Sequence, residues 1–483
     1  MREVIVWLNW VALAFFIVLN GLYLILTILA LRVLRRYPER LRALEISDAI
    51  LLGGRPPVTL LAPAYNEEAT CVQSVRSLLA LEYDEYEVLV INDGSKDRTL
   101  ETLIEAFRLT PTVRAPTADV ASKPIRQVYR SKEYPSLWVI DKVNGGKADA
   151  LNAGLAHVRT PLFCSIDADS LVERDALTRI VRPFLEDDRT IAAGGTIRIA
   201  NGCTVESGAV TKVELPTSFL ARVQVVEYLR SFLSGRVGWD AIGGTLIISG
   251  AFGMFKRSAV VSVGGYDHTT VGEDMELVVR LHRHHLEQKT PYRITFLSDP
   301  VAWTECPESL KVLARQRQRW QRGLAEVLWR HRVMLANPRY GVIGLLAMPY
   351  FFFLEMLGPV VEFAGYLTFV LTVILGAANG PYVTAFLLLA LALGTALSLL
   401  AIGLEEVSFR RYPHTWQVAR LMWVAILESV GYHQLHTWWR LRGLWAAARG
   451  TGGWGEMTRK GFGTPGSAAT PTSSGAPPSG APR

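Results

Sequence analysis

The sequence predicts an α/β domain with a parallel sheet, set between membrane-spanning helices. Three observations predict it. Short apolar strands alternate three times with polar turns and amphipathic segments, the pattern of a parallel sheet covered by helices. Stretches with almost no charge flank that region and are long enough to cross a bilayer. Apolar residues make up 50% of the 483, mean hydropathy is +0.21, and the excess sits in those few blocks.

The first block runs from Val4 to Leu31 and holds no charged residue. That exceeds the roughly 20 residues that cross a hydrocarbon core, and no small-residue cleavage site follows. Residues 1–35 are therefore read as a retained anchor. The basic run Arg32, Arg35, Arg36, Arg40 and Arg42 is expected to stay in the cytoplasm, at the inner face of the cell membrane. The net charge of +7 and pI near 9.2 are assigned to such membrane-flanking arginines, so no nucleic-acid partner is expected. Cys71, Cys164, Cys203 and Cys306 have no CxxC spacing, which excludes a disulfide framework or a zinc site.

Residues 55–335 read as one α/β domain. Strands are expected over Val58–Leu61, Glu87–Ile91 and Leu162–Ile166, each followed by a helix. Ligands of such sheets bind at the carboxyl ends of the strands. The clusters Asn66-Glu67-Glu68, Asn92-Asp93-Gly94-Ser95 and Asp167-Ala168-Asp169 all fall there. Thr110–Leu137 shows no period and reads as an insertion. Residues 341–440 read as C-terminal membrane and interfacial helices: a re-entrant piece broken at Gly358-Pro359, a span over about 360–376, and a second over Pro381–Leu404. Trp416–Leu435 is a third span or an in-plane helix, with membrane lipid as partner. Residues 463–483, rich in Gly, Ser, Pro and Ala, read as a disordered tail.

Five constellations carry chemistry. Asp167 and Asp169 end a buried strand; two hard oxygen donors suit Mg²⁺ or Mn²⁺ carrying a diphosphate. The competing reading is that Asp169 or Ser170 only caps a helix beginning near Val172. Asp93 before Gly-Ser either accepts from a base or ribose or closes an Asx-turn. Lys147 follows two glycines at a helix start, where it either meets phosphate or is solvated. Glu273 and Asp274 open a helix, as caps or, for Asp274, as a general base. In "RQRQRWQRG", Gln316, Arg319, Trp320 and Gly323 share one helical face, while Arg315, Arg317 and Arg322 suit anionic lipid.

In the order "APAYNEE", "INDGS", "GGKADALN", "DAD", "GED", "QRQRW", the chain resembles the membrane-embedded family 2 glycosyltransferases, which include cellulose, hyaluronan and poly-N-acetylglucosamine synthases. "GKADALNAG" and "GAFGMFKR" look closest to the last of these. The resemblance implies a GT-A (Rossmann-like) domain, a UDP-sugar donor and a divalent metal. By it, Ala64, Tyr65, Glu67 and Asp93 contact uridine, Lys147 and Asp167 lie near the nucleotide, and Asp169 binds the metal. Asp274 is the base beside Glu273, and Gln316, Arg319 and Trp320 cover the diphosphate and the acceptor sugar. The expected reaction is inverting transfer, from UDP-N-acetylglucosamine by the closest branch, to a growing β-linked polysaccharide with coupled export. Single transfer to a lipid acceptor, or nucleotide-sugar binding without turnover, are the alternatives, and an accessory membrane subunit is an allowed partner. Two departures stand out. Gly272 replaces the threonine of the usual Thr-Glu-Asp motif, which points to changed acceptor contacts. The N-terminus carries one anchor where some relatives have two.

Overall fold

The N-terminal apolar stretch and the arginine run behind it form one 49-residue helix, α1 (Arg2–Ile50). The computed structural model describes residues 2–50, 54–167, 170–206, 208–375 and 380–450. The expected tail at 463–483 lies outside the described residues. Within α1, Trp7–Tyr37 is long and apolar enough to cross a membrane. One face, with Ala12, Phe16, Leu26 and Ala30, is buried, while Trp7, Trp10, Ile17, Val18 and Ile25 point outward.

The three predicted strands are present, the first two slightly longer than expected and the third with the expected bounds. β1 (Val58–Ala64), α2 (Cys71–Leu79), β2 (Tyr86–Asn92) and α3 (Thr99–Phe107) form the first repeats. Then come β3 (Leu109–Thr112), β4 (Ile125–Ser131), β5 (Leu137–Lys142), α4 (Lys147–His157) and β6 (Leu162–Ile166). β7 (Leu171–Val172), α5 (Ala176–Glu186), β8 (Thr190–Ile199) and the small hairpin β9 (Thr204–Glu206) and β10 (Ala209–Lys212) follow. α6 (Phe219–Leu229) runs through a π-helical turn, Arg230–Arg236, into α7 (Val237–Asp240). β11 (Phe252–Lys256), α8 (Arg257–Ser262), α9 (Glu273–Gln288), β12 (Arg293–Thr304) and α10 (Leu310–Arg330) complete the domain.

The sheet is mixed rather than parallel. Its order is β3-β4-β5-β2-β1-β6-β11-β8-β12-β7. β5, β2, β1 and β6 are parallel, as are β8 and β12, but β11 is antiparallel to both of its neighbours. β11 returns by way of α6 and α7, and the repeat pattern gave no sign of that reversal. The expected insertion is instead an antiparallel edge, β3 and β4, paired onto β5. β4 is only partly buried, so its alternation is weak. The helix expected near Val172 starts at Ala176, because Leu171 and Val172 pair with Trp303 and Ala302 of β12.

Beyond Tyr340 the chain is helical but broken. Ile343–Met356 and α11 (Gly358–Ile374) meet at a 41° bend at the predicted Gly358-Pro359 break, and together they pass as one bent span or a re-entrant piece. α12 (Gly380–Leu387) and α13 (Leu393–Ser408) are joined by a π-helical turn. Trp416–Leu435 is not a single helix. α14 (Thr415–Glu428) stops, Gly431 takes a φ of 87°, and α15 (Tyr432–Arg449) starts anew. By length and composition, one described helix can cross a membrane, or two if the bent pair counts as a single span.

Buried ion pairs dock this C-terminal set on the α/β domain. Arg198 of β8 meets Glu405 of α13 at 2.5 Å, with both side chains nearly inaccessible. Arg230 meets Glu428 of α14 at 2.5 Å. Arg317 of α10 meets Glu227 at 2.6 Å, and the Tyr432 hydroxyl donates to Glu227. Arg317 and Arg322 therefore do not face lipid: Arg322 pairs with Glu326 at 2.6 Å, and of the expected lipid-facing arginines only Arg315 is exposed.

Candidate active site

The polar clusters fall at strand ends, as the alternating pattern required, and they interlock. The Asn66 backbone N–H donates to Ser95 Oγ at 3.0 Å, and Asn66 Oδ1 accepts from Lys96 N at 2.8 Å. Asn66 holds a left-handed φ of 56°, a region asparagine tolerates. Glu67 N donates to Thr99 Oγ1, and its carboxylate accepts from Thr70 at the start of α2. Ala64 is buried and Tyr65 exposed, so of the two only the tyrosine ring is open to a ligand.

Asp93 is buried, and its carboxylate is occupied by the protein itself. Oδ1 accepts from Lys142 Nζ at 2.7 Å and Gly145 N at 2.9 Å; Oδ2 accepts from Gly146 N at 2.7 Å and Asn144 Nδ2 at 3.1 Å. Lys142, fully buried, also meets Asp149 at 2.5 Å. Asp93 thus fixes the two-glycine loop that launches Lys147. Neither Lys142 nor Asp149 was singled out from sequence. The available signal was a lysine ending the apolar strand "LWVIDK", with an aspartate in the first turn of the next helix.

Lys147 opens α4 and reaches three elements. Its Nζ pairs with Asp167 Oδ1, approaches Glu273 Oε1 at 3.5 Å and donates to the Gly250 carbonyl at 3.4 Å. Burial opposes its charge, but Asp167 and Glu273 outweigh that and raise its pKa. Burial lifts the Glu273 carboxyl above its ordinary range; Lys147 pulls it down and Asp274 pushes it up again. Asp274 is half-buried. Its Oδ2 accepts from Gly250 N at 3.1 Å and its Oδ1 from Met275 N at 2.8 Å. A Cβ on Gly250 would stand 2.7 Å from Lys147 Nζ, so a side chain there would displace the lysine's ammonium from the point where backbone, lysine and base converge.

The structure therefore gathers Lys147, Asp167, Glu273 and Asp274 at one cleft. α10 packs beside it, Gly323 against Gly272, and its Arg319 acts on the Glu273 charge; the exposed Trp320 ring of the same helix carries the Arg317 guanidinium at 4.4 Å. Gln316 lies one turn before Trp320 on α10. Asp169 lies outside the described residues. No helix begins near Val172 for Asp169 or Ser170 to cap, since β7 lies there and α5 starts at Ala176.

A model of the family described as Glycosyltransferase like family 2 matches residues 56–323. The chain is 31% identical over 274 residues to a poly-beta-1,6-N-acetyl-D-glucosamine synthase of Staphylococcus aureus (strain COL), covering 56% of each protein. It is 29% identical over 273 residues to the enzyme of that name from Staphylococcus epidermidis, again covering 56% of each. The match thus spans about half the length of these curated relatives. In structure the chain is similar to the mannosyltransferase PcManGT from Pyrobaculum calidifontis, solved with GDP-Man and Mn²⁺. The TM-score is 0.51 at 18% identity, covering 87% of this chain and 99% of that one. That likeness shows the fold, a mixed α/β GT-A arrangement. The family match takes in more than half of the chain and every loop that builds the cleft, so the chain belongs to glycosyltransferase family 2 and is a glycosyltransferase.

Proposed function

We propose that the protein transfers a sugar from a UDP-sugar, UDP-N-acetylglucosamine by its likeness to poly-N-acetylglucosamine synthases, to a growing β-linked polysaccharide at the inner face of the membrane. The observation that carries this is the Asp274 carboxylate, fixed by Gly250 N and Met275 N beside Lys147 and Asp167. Asp274 takes the proton of the acceptor hydroxyl as that oxygen bonds to the anomeric carbon. The bond from that carbon to the β-phosphate oxygen breaks on the opposite face, its electron pair leaves with UDP, and the configuration inverts. Arg319 is the cation for the departing diphosphate, and Trp320 offers its indole face to the acceptor sugar. Tyr65 is open to the uridine, while Asp93 acts through the loop it holds.

Among the described residues no three His, Cys, Asp or Glu side chains converge on a metal position. Mg²⁺ or Mn²⁺ carried by a diphosphate needs only one or two carboxylates, and Asp167, a third exposed, with Asp169 beyond it fits that demand. When bound, such an ion takes up charge on the leaving diphosphate.

Processive synthesis with export is the reading for the C-terminal helices. Glu355 and Glu362 are seven residues apart, a spacing that would put them on one face of a continuous helix, but they lie on either side of the 41° bend. Glu355 is held by Tyr23, Tyr350 and Arg440, and Glu362 by Thr437. Any sugar path therefore runs beside a bonded network and is not lined by free carboxylates.

The test is UDP release by purified protein in lipid with Mg²⁺ or Mn²⁺ across a panel of UDP-sugars, with product sizing. Release with one sugar, lost about 10² to 10⁴-fold in Asp274→Asn with UDP binding retained, is expected. Asp169→Ala should lose metal-dependent UDP affinity. Unchanged release in Asp274→Asn would remove the base from the mechanism.

A further inference from the structure

Pro359 breaks the apolar segment that follows the α/β domain, and the break leaves backbone carbonyls to be satisfied. Pro359 has no N–H to give the Glu355 carbonyl, four residues earlier. The N–H groups of Val360 and Val361 both turn to the Leu357 carbonyl, at 2.9 and 3.4 Å, so the Met356 carbonyl gains no donor from them. Carbonyls at a buried helix break must find donors elsewhere. Here both find them on helices outside the segment. Gln321 Nε2, on α10, donates to the Met356 carbonyl at 2.9 Å and to the Glu355 carbonyl at 3.3 Å. Arg440 Nη2, on α15, donates to the Glu355 carbonyl and, at 3.1 Å, to the Glu355 carboxylate. Arg440 Nε donates to Gln321 Oε1 at 2.8 Å and closes the ring.

Gln321 is buried, and both ends of its amide are used. It stands in "RQRQRWQRG" beside Trp320 and two residues before Gly323, yet the reaction proposed above makes no use of it. α10 carries that amide between two fixed surfaces. On one side a Cβ on Gly443 would stand 2.5 Å from the Gln318 carbonyl oxygen, so α15 lies directly on the α10 backbone. On the other side Gly323 lies against Gly272, next to Glu273 and Asp274. A change of angle at the break therefore has a bonded route to the cleft. It runs from the Met356 carbonyl to Gln321, along two residues of α10 to Gly323, and across to the Asp274 loop. Apolar segments in a bilayer adjust to it by tilting or kinking, so the break is where such a change would be taken up.

We propose that Gln321 is a positioning residue: with Arg440 it ties the break at Pro359 to α10, and so sets where Arg319 and Trp320 stand against Asp274. The inference rests on the transferase reading above.

The experiment uses the full chain in lipid nanodiscs, as wild type, Gln321→Met, Arg440→Met and Arg440→Lys. Gln321→Met keeps the side-chain length and removes both ends of the amide. UDP release is measured against UDP-N-acetylglucosamine concentration, and UDP affinity is titrated separately with Mg²⁺. In Gln321→Met kcat should fall about tenfold to a hundredfold, while KM for the donor and the UDP dissociation constant stay within about threefold. Arg440→Met should behave alike, and Arg440→Lys, which keeps a donor for Glu355, should recover part of the rate. Hydrogen exchange on the same samples reads the coupling without turnover: protection in Gln321→Met should drop over residues 270–276 as well as around the break. A kcat within about twofold of wild type in Gln321→Met overturns the assignment, even if its melting temperature falls, because the amide is then only a cap. A loss of kcat matched by loss of UDP affinity overturns it too, as does unchanged protection over residues 270–276. A wild type that releases no UDP, with the exchange result as expected, would instead sink the transferase reading and leave the tie between break and loop standing.

Discussion

Gly272 and Gly323 touch backbone to backbone. A Cβ on Gly272 would stand 3.2 Å from the Gly323 backbone, and one on Gly323 would stand 3.1 Å from Gly272. The residue that departs from the usual base motif is thus a glycine because α10 crosses there. The loop is clamped further along the same helix: Glu326 accepts from Thr270 Oγ1 and Val271 N, and His331 meets Glu276 at 3.2 Å. Gly272→Thr should push α10 and its Arg319 and Trp320 away from Asp274. A shift of about 1 Å at a reacting centre can cost roughly 10²-fold. UDP release should fall by about that factor in Gly272→Thr and in Gly323→Val, with smaller changes in UDP affinity by titration.

Asp93 and Lys142 form a buried pair at 2.7 Å, and removing one partner strands the other. Asp93→Asn and Lys142→Met should each lower unfolding stability by about 3 to 5 kcal/mol, and the double variant by less than their sum. Thermal unfolding of the three variants reads this out. UDP affinity should also fall in Asp93→Asn, since the Gly145-Gly146 loop loses its anchor.

Lys147 offsets Asp167 and Glu273 together. Lys147→Met should abolish detectable UDP release, and Lys147→Arg should restore little, because a planar guanidinium fork does not match the point charge that meets Asp167, Glu273 and the Gly250 carbonyl together. Adding Glu273→Gln to Lys147→Met should recover thermal stability without recovering turnover. Recovery of both would mean that the lysine is only a counter-ion.

Asp299 sits at an irregularity in β12, where the register with β8 shifts between Leu297 and Pro300. Burial pushes its carboxyl up to about 7. A folded-state pKa above the unfolded value means the folded chain binds more protons between pH 4 and 7. Stability from this group is thus present below pH 4 and is lost as pH rises to about 7. At about 1.4 kcal/mol per unit, the effect is at most about 4 kcal/mol. The melting temperature of Asp299→Asn relative to wild type should therefore climb from pH 4 to pH 7. A constant offset would count against the shifted carboxyl.

Much of the α/β core was legible because apolar runs such as Leu162–Ile166 can only be buried, and their polar ends can only face a cleft. The reversed β11 was not, since "FGMFK" reads the same in either direction and pairing direction is a tertiary outcome. The cleft was legible where charge interrupts apolar sequence: Lys147, Asp167, Glu273 and Asp274 were found and do converge. Asp93 was found, but its occupation by Lys142, Gly145 and Gly146 depends on a loop closing from about fifty residues away. Arg317 could not be placed from helical spacing alone, because what it faces is Glu227, on α6.

α1 is held by partners that lie more than three hundred residues later in the chain. Asn9 donates to Thr372 Oγ1 at 2.8 Å across 363 residues, and Tyr23 to Glu355 across 332. The ribosome therefore releases the first helix long before its partners exist, and the catalytic domain must form while that helix is still unclasped. Assembly closes like a buckle, a later part of the chain onto an earlier one. A nascent chain stalled before Arg440 would carry the α/β domain and, beyond it, a Glu355 that lacks its arginine, leaving a late window in which quality-control proteases could tell finished from unfinished molecules.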